Sequence, residues 1–485
     1  MNIEKIIDIL TAGQKEEKVD GFLRFLSDKL WDKYNEFLMD KIVVLQGDIS
    51  KWTPNLPNAS ENKPYSCEIS LPEVVSLPDV AIEIVEISGI TEEQHGLNVS
   101  LSEDKAKILI EGTPCLNYYR KDGKTAESAY ELVLRYKFNG VEMPTDRPAL
   151  ERRIPFVINQ DPRYLWKNLP VEWDKMAEPR YQNDDVQCDY IKVESIDGDP
   201  QKDIVVASKR GRSHAQEAKP RDDFYKMKHM DNGWYIMAVA DGAGSAQYSR
   251  EGSRIACTTV VDYCQTQLLT SEDFDEHILT YNEYKDEAES DARKMVGDYI
   301  YKVVGTAAFK AHKAINEEAA QRNIPSKKYA TTLLLAICKK FTFGWFVASF
   351  WVGDGAICLY DKNAHTAKLL GIPDEGEFAG QTRFITMPEI FKDATELYQR
   401  LRFNIVPDFT ALFLMTDGVS DPKFETDANL INSDKWDDLW EDLTKNEEHP
   451  VDLSDDHEDA RHELLDWLDF WSPGNHDDRT IAILY

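Results

Sequence analysis

Val239-Ala240-Asp241-Gly242-Ala243-Gly244-Ser245-Ala246 is the stretch from which the rest of this 485-residue chain can be read. It follows the apolar run Trp234 to Ala238 and precedes a segment of helical periodicity from about Glu251 to Leu269. The predicted order is a buried strand, a glycine-rich turn carrying one aspartate, then a helix. Such a turn presents a carboxylate and bare backbone at the end of a stiff strand. Mg²⁺ and Mn²⁺ prefer oxygen ligands held in that way. A single acidic turn most often marks a solvated strand end, so this one gains its meaning from the other acidic turns of the chain.

Most Asp-Gly pairs are ordinary turns. Asp122-Gly123 and Asp197-Gly198 lie between polar or strand-like segments and are assigned to hairpins. Asp241, Asp354 and Asp417 differ, because each follows a strongly apolar run: Trp234 to Ala240, Phe343 to Val352, and Leu412 to Thr416. Two acidic dyads frame the same region, Arg221-Asp222-Asp223 near its start and Asp477-Asp478-Arg479-Thr480 before a final strand, Ile481 to Tyr485. Carboxylates crowded at one place repel unless cations neutralise them, so a convergent set implies a cation site.

The ordered motifs Arg-Asp-Asp (221–223), Val-Ala-Asp-Gly (239–242), Ala-Thr-Thr-Leu (330–333), Gly-Asp-Gly (353–355), Thr-Asp-Gly-Val-Ser-Asp (416–421) and Asp-Asp-Arg-Thr (477–480) resemble those of the metal-dependent type 2C Ser/Thr protein phosphatases. The texture is closest to the bacterial branch, including Ser213-His214 upstream and Gly376-Glu377-Phe378-Ala379 midway, and the likeness spans about residues 203–485. It implies a four-layer α-β-β-α sandwich with two Mg²⁺ or Mn²⁺ ions at one edge. By position, Asp241 resembles the carboxylate shared by both ions, and Gly242 would offer its carbonyl. Asp417 and Asp477 look like the other ligands of the first ion, with Asp478 the alternative to Asp477. Asp222 stands on the second ion's side where the family usually has glutamate, and Asp223 is its acidic neighbour. Asp354 and Asp421 look like the pair for a third, weaker ion. Paired ions would activate water for in-line attack on a phosphoserine or phosphothreonine, with no covalent intermediate.

Two places depart from the family. Ala243 stands where many members carry a histidine, and Ala218 where an arginine usually grips phosphate; Arg210, Arg212 and Arg221 are the nearest replacements, and His214 is the candidate acid. A metal-binding pseudophosphatase acting as a scaffold is therefore the alternative function. An aspartyl-phosphate mechanism would need a nucleophile such as Asp197 or Asp199, but that stretch follows no apolar strand.

Outside this region the chain changes texture. Residues 1–45 are expected to be helical, with Phe22, Phe25, Leu26, Leu30, Trp31, Tyr34, Phe37 and Leu38 forming an apolar stripe for packing or for a protein partner. Residues 65–160 alternate in short runs such as Ala81 to Val85 and Tyr130 to Tyr136, predicting an all-β sandwich. The stretch from Gly96 to Pro114 resembles closing strands of bacterial immunoglobulin-like domains. A proline- and aromatic-containing linker spans about 161–185, and a catalytic domain 186–485, so the fold class is multi-domain α+β. The acidic stretch 433–471 carries Trp436, Leu439, Leu464 and Trp467 at helical spacing, predicting amphipathic helices.

The net charge of −31 argues against nucleic acid or anionic membrane as a partner. The seven cysteines have no Cys-x-x-Cys spacing, which fits reduced thiols in the cytoplasm. The expected partners are a phosphoprotein substrate and an opposing Ser/Thr kinase.

Overall fold

The computed structural model describes residues 8, 11–13, 16–77, 79–121, 126–144, 147–176, 181–196, 198–270, 272–287, 291–374 and 382–485. Asp122-Gly123, Asp197 and the Gly376 to Ala379 motif fall outside the described residues. The chain divides into two compact units, Met1–Leu165 and Trp166–Tyr485.

The first unit begins with a helix over Glu16–Ser50. Its buried positions are Leu38, Ile42, Leu45 and Ile49, which pack against Tyr136, Phe138 and Leu150. The stripe at its N-terminal end is not the packing face: Phe25, Leu30, Trp31, Tyr34 and Phe37 are exposed. Three- and four-residue spacing continues past residue 45, and the helix continues with it. Among the described residues seven strands follow: β1 (Ala59–Ser60), β2 (Tyr65–Ser70), β3 (Ile82–Ser88), β4 (Leu97–Leu101), β5 (Lys107–Gly112), β6 (Ala129–Phe138) and β7 (Leu150–Asn159). They form sheets of order β1-β7-β6-β3 and β2-β5-β4. One apolar cluster, with Ile69, Ile108 and Ile110 from one sheet and Leu132, Leu134, Ile154 and Phe156 from the other, fills the space between them.

The second unit opens with part of the segment read from sequence as a linker over about 161–185, whose aromatics imply that it lies against a domain. Residues from Trp166 belong to this unit, and the segment bends through a short 3₁₀ turn at Trp173–Lys175. Leu169 N–H donates to Ala215 O (2.9 Å), and Asn183 donates to Arg221 O (2.9 Å). Its aromatics bind it down, Trp166 against His476 and Trp173 under Arg250.

The body of the unit is two antiparallel sheets. One has β10 (Phe224–His229), β11 (Tyr235–Ala240), β12 (Leu333–Phe341), β13 (Gly344–Val352) and β16 (Leu401–Val406) in that order. The other runs β15 (Thr366–Leu369), β14 (Ala356–Asp361), β17 (Ala411–Met415), β18 (Arg479–Leu484), β9 (Ile204–Lys209) and β8 (Val186–Ile191). Central strands are apolar on both faces because both faces are covered. On β11, Tyr235, Met237 and Val239 enter the core between the sheets, while Ile236, Ala238 and Ala240 meet the helices. Those helices, Ser249–Leu268 and Thr306–Gln321, cover the five-stranded sheet. Helices Ser433–Lys445 and Ala460–Trp467 cover the six-stranded sheet through Trp436, Leu439, Leu464 and Trp467. The acidic stretch is thus an outer layer, giving four layers in total. Among the described residues no helix is long and apolar enough to cross a membrane.

Candidate functional site

Strand register brings the acidic turns to one edge. Phe224 pairs with Ala240, so Asp222 and Asp223 before β10 meet Asp241 after β11. Leu333 pairs with Val352, placing the turn that holds Asp354 beside Thr331 and Thr332. In the facing sheet, Met415 pairs with both Ala356 and Ile481, so Asp417 lies between the Asp354 turn and Asp477-Asp478. Close approach restricts the turns. Gly353 has φ 114, and a Cβ there would stand 2.5 Å from Thr332; a Cβ on Gly418 would stand 1.9 Å from Asp478 O.

Asp241, Asp354 and Asp417 each offer an oxygen within 4.8 Å of the others. Burial, then the charges of Asp417, Asp223 and Asp477, push Asp241 well above the usual carboxylate range. Burial and the charges of Asp354, Asp477 and Asp223 do the same to Asp417. Asp223, fully buried, is pushed up to about 7 by burial and by Asp478. Burial also raises Asp222 to about 7, with His214 pulling against it. Asp421, one helical turn beyond Asp417, is raised to about 6 by the desolvation of its carboxyl and by the charge of Asp354.

Three buried carboxylate oxygens, Asp223 Oδ1, Asp354 Oδ1 and Asp417 Oδ1, have no hydrogen-bond partner. Buried polar atoms are nearly always partnered, and an orphan costs about 1–3 kcal/mol. Crowded, donor-poor oxygens of this kind suit hard divalent cations, which supply the missing positive charge.

Asp477 and Asp478 play different parts. Asp478 is enclosed: it accepts from Gly211 N–H (2.6 Å) and Asp222 N–H (2.5 Å), and lies 3.0 Å from His214 Nδ1. Burial opposes its ionisation, but His214 and these donors hold it below the usual range. Asp477, raised by burial and by Asp478, is the one whose charge acts on Asp241 and Asp417.

His214 does not stand as a free acid. Burial disfavours its charge, yet the charge and hydrogen bond of Asp478 raise it to about 10. The three substitute arginines are likewise engaged elsewhere. Arg221 donates to Ser208 O and Gln187, Arg210 to Leu169 O and Lys219 O, and Arg212 to Asp469. Asp199 accepts from Lys340 (2.7 Å).

Sequence reading missed the hydroxyls that hold the acids. Thr416 and Thr480 donate to Asp223 Oδ2 (3.0 and 2.7 Å), and Ser208 backs Thr480 at 2.6 Å. Thr331 donates to Asp241 O (2.6 Å), while Thr332 Oγ1 accepts from Asp241 N–H (2.8 Å). The Ala-Thr-Thr-Leu motif was visible; its role as clamp on the Asp241 turn was not. Thr332→Val keeps the shape and orphans that amide. Urea unfolding is expected to register a loss of about 1–3 kcal/mol, with Thr332→Ser close to wild type.

The profile of a family described as protein phosphatase 2C matches residues 210–469. Among solved structures, RsbX in complex with magnesium is similar at 13% identity, over 62% of this chain and 100% of that one, with a TM-score of 0.30. PppA, a key regulatory component of T6SS in Pseudomonas aeruginosa, is similar at 13% identity over 59% and 97%, TM-score 0.33. The catalytic domain of the serine threonine protein phosphatase PstP, in complex with two manganese ions, is similar at 13% identity over 61% and 98%, TM-score 0.33. No curated protein sequence matches the chain.

Proposed function

The chain belongs to the protein phosphatase 2C family, and from that premise we propose that it is a divalent-metal-dependent phosphatase acting on phosphoserine and phosphothreonine in proteins. The observation that carries the proposal is the set of donorless carboxylate oxygens on Asp223, Asp354 and Asp417. In this reading Asp241, Asp417 and Asp477 hold one Mg²⁺ or Mn²⁺ ion. Asp241, the Gly242 carbonyl and Asp222 hold a second, with Asp223 behind them. Asp354 and Asp421 serve a third, weaker one.

Bound divalent ions supply charge that lowers the pKa of water and shields the phosphate dianion. The protein's own part is positioning. Thr331 and Thr332 fix the Asp241 turn from both sides of the peptide. His214 we assign to positioning in place of the acid role, because a histidine charged up to about pH 10 gives up its proton reluctantly at neutral pH. Its ion pair with Asp478 keeps Asp477 facing the cluster. Hydrolysis then adds water across the P–O ester bond, releasing the side-chain hydroxyl and inorganic phosphate.

The test is hydrolysis of an aryl phosphate and of a phosphothreonine peptide by the full chain. Activity that needs Mn²⁺, stops with chelator and returns on re-addition is expected. Tight Mn²⁺ binding with neither substrate hydrolysed would reject the enzyme and favour the scaffold, a reading that Ala243 and Ala218 support.

For the first unit, the order β1-β7-β6-β3 over β2-β5-β4, with β1 parallel to β7, supports an immunoglobulin-like sandwich within 65–160. The exposed Phe25, Trp31 and Phe37 support a protein partner for the helix before it. Seven free thiols fit a cytoplasmic setting, where a Ser/Thr kinase would oppose the enzyme.

A further inference from the structure

The helix Glu16–Ser50 is anchored by burial toward its C-terminal end, where Leu38, Ile42, Leu45 and Ile49 meet the β-sandwich. Before that anchor no described side chain from Lys18 to Phe37 is buried. Packing of an apolar face supplies most helical stability in water, and Gly21 weakens these turns further. The first half of the helix therefore needs a cover.

An open apolar seam runs along it. Leu23, Leu30, Phe37 and Val44 recur at seven-residue steps, and Val19 and Leu26 fall four residues before Leu23 and Leu30. Leu30 is 54% exposed, Phe37 55% and Val44 57%. The seam lies about a quarter turn round the helix from the anchored face, so it stays open even beside Ile42 and Leu45. An apolar seven-residue repeat held for about three periods or more is the pattern of a coiled coil. Phe25 and Trp31 lie outside the seam.

The charges select the occupant and its direction. Lys33 and Asp40 continue the series of Val19 and Leu26. A parallel pair in register would set Lys33 against Lys33 and Asp40 against Asp40, which is unfavourable at a seam. Turned antiparallel about the midpoint of Trp31 and Asp32, the two copies match. Val19 then meets Val44, Leu26 meets Phe37, and the stem of Lys33 covers Leu30. Along the edges Lys29 comes against Glu36, Asp20 against Lys41, and Phe22 against Val43, each repeated by the two-fold axis. Asp40 comes opposite Leu23, a cost that limits the strength of the pair. Within one helix Lys29 lies 3.4 Å from Asp32, and Glu36 2.6 Å from Lys33. Both pairs are solvent-exposed, hold little energy and leave Lys29 and Glu36 able to meet a second chain. The antiparallel seating also carries the two sandwiches to opposite ends of the paired helices.

We propose that residues 19–44 pair with the same residues of a second copy as an antiparallel two-stranded coiled coil, making the chain a dimer through its N-terminal helix. The inference rests on the reading of this helix as a partner site and commits that partner to the chain itself. It does not depend on the phosphatase reading.

The experiment is light scattering on the full chain, with the chain as its own probe. At about 10 µM the wild type is expected to show twice the chain mass. Leu30→Asp with Phe37→Asp, two positions open in the single chain, should weaken the dimer about 100-fold or more and leave the near-ultraviolet circular dichroism of the body unchanged. Lys29→Glu and Glu36→Lys should each raise the dissociation constant about 10-fold, and their combination should return it to within about 3-fold of wild type. The combination keeps both intrahelical pairs broken, so recovery reports contact between copies. A dimer indifferent to the two aspartates would overturn the seam, and a combination no better than the single changes would overturn the antiparallel register. A wild type of single mass would overturn the inference outright, and amide exchange then shows how far the loss extends. Protected amides over 19–37 in a monomer would reject the partner reading as well, whereas unprotected ones would leave the helix to a different protein.

Discussion

Asp241→Asn is expected to lower kcat/KM for an aryl phosphate by about 10³-fold or more at saturating Mn²⁺, a loss of at least about 4 kcal/mol of transition-state stabilisation. Asparagine matches aspartate in size and keeps the backbone bonds to Thr331 and Thr332, so the turn should hold its shape. What disappears is a carboxyl whose ionisation is opposed by burial and by the charges of Asp417, Asp223 and Asp477. The same change should therefore stabilise the metal-free protein. A buried carboxyl whose pKa is raised on folding costs stability above its unfolded pKa, so its removal is expected to raise the melting temperature without metal slightly. Activity lost with apo stability gained is a signature that simple misfolding cannot produce. Kinetics with aryl phosphate, calorimetric Mn²⁺ titration and thermal scans in chelator provide the three readings. Full activity in Asp241→Asn would remove Asp241 from the centre of the site.

The reason Asp241 could be found in the sequence is physical. A strand covered on both faces must be apolar at every position, so β11, β13 and β17 each stand out as unbroken runs. An aspartate at the end of such a run has no neighbour that would explain it as surface. Asp354 and Asp417 were legible for the same reason, and the motif order identified the family. The order alone could not separate Asp477 from Asp478. The three donors that enclose Asp478 come from Gly211, His214 and Asp222, all some 250 residues away in sequence.

Other features left no local trace. Thr416, Thr480 and Ser208 read as ordinary β-compatible residues, and only strand pairing brings two of their hydroxyls onto Asp223. Arg250 reads as a surface charge at a helix start, because its burial depends on aromatics from the preceding linker. The N-terminal stripe misled for a related reason. Periodicity places apolar residues on one helix face but does not say which turns of that face are covered. Here Leu38 to Ile49 are covered and Phe25 to Phe37 are not.

The second large effect concerns stability against pH. In the metal-free site, burial holds Asp222 and Asp223 at about 7, and Asp241 and Asp417 above the usual carboxylate range. In the unfolded chain these groups ionise near pH 4. Between about pH 4 and 7 the folded site therefore keeps protons that the unfolded chain has released, and stability falls as pH rises. Their contribution is complete below the unfolded pKa and is lost as pH passes through the folded values. Divalent metal reverses the balance, because its ligands must be deprotonated and its charge then cancels their repulsion. The gap in melting temperature between the Mn²⁺-loaded and chelated protein should widen by about 5 °C or more from pH 5 to pH 8. His214, raised to about 10 by Asp478 against its burial, loses its own contribution above pH 6.5, but it does so in both forms and leaves the difference. Asp241→Asn supplies the control, since a site with one carboxylate fewer should show a flatter dependence. A gap that stays constant across this range, with Mn²⁺ bound throughout, would mean that the crowded carboxylates do not carry the linkage between metal and fold.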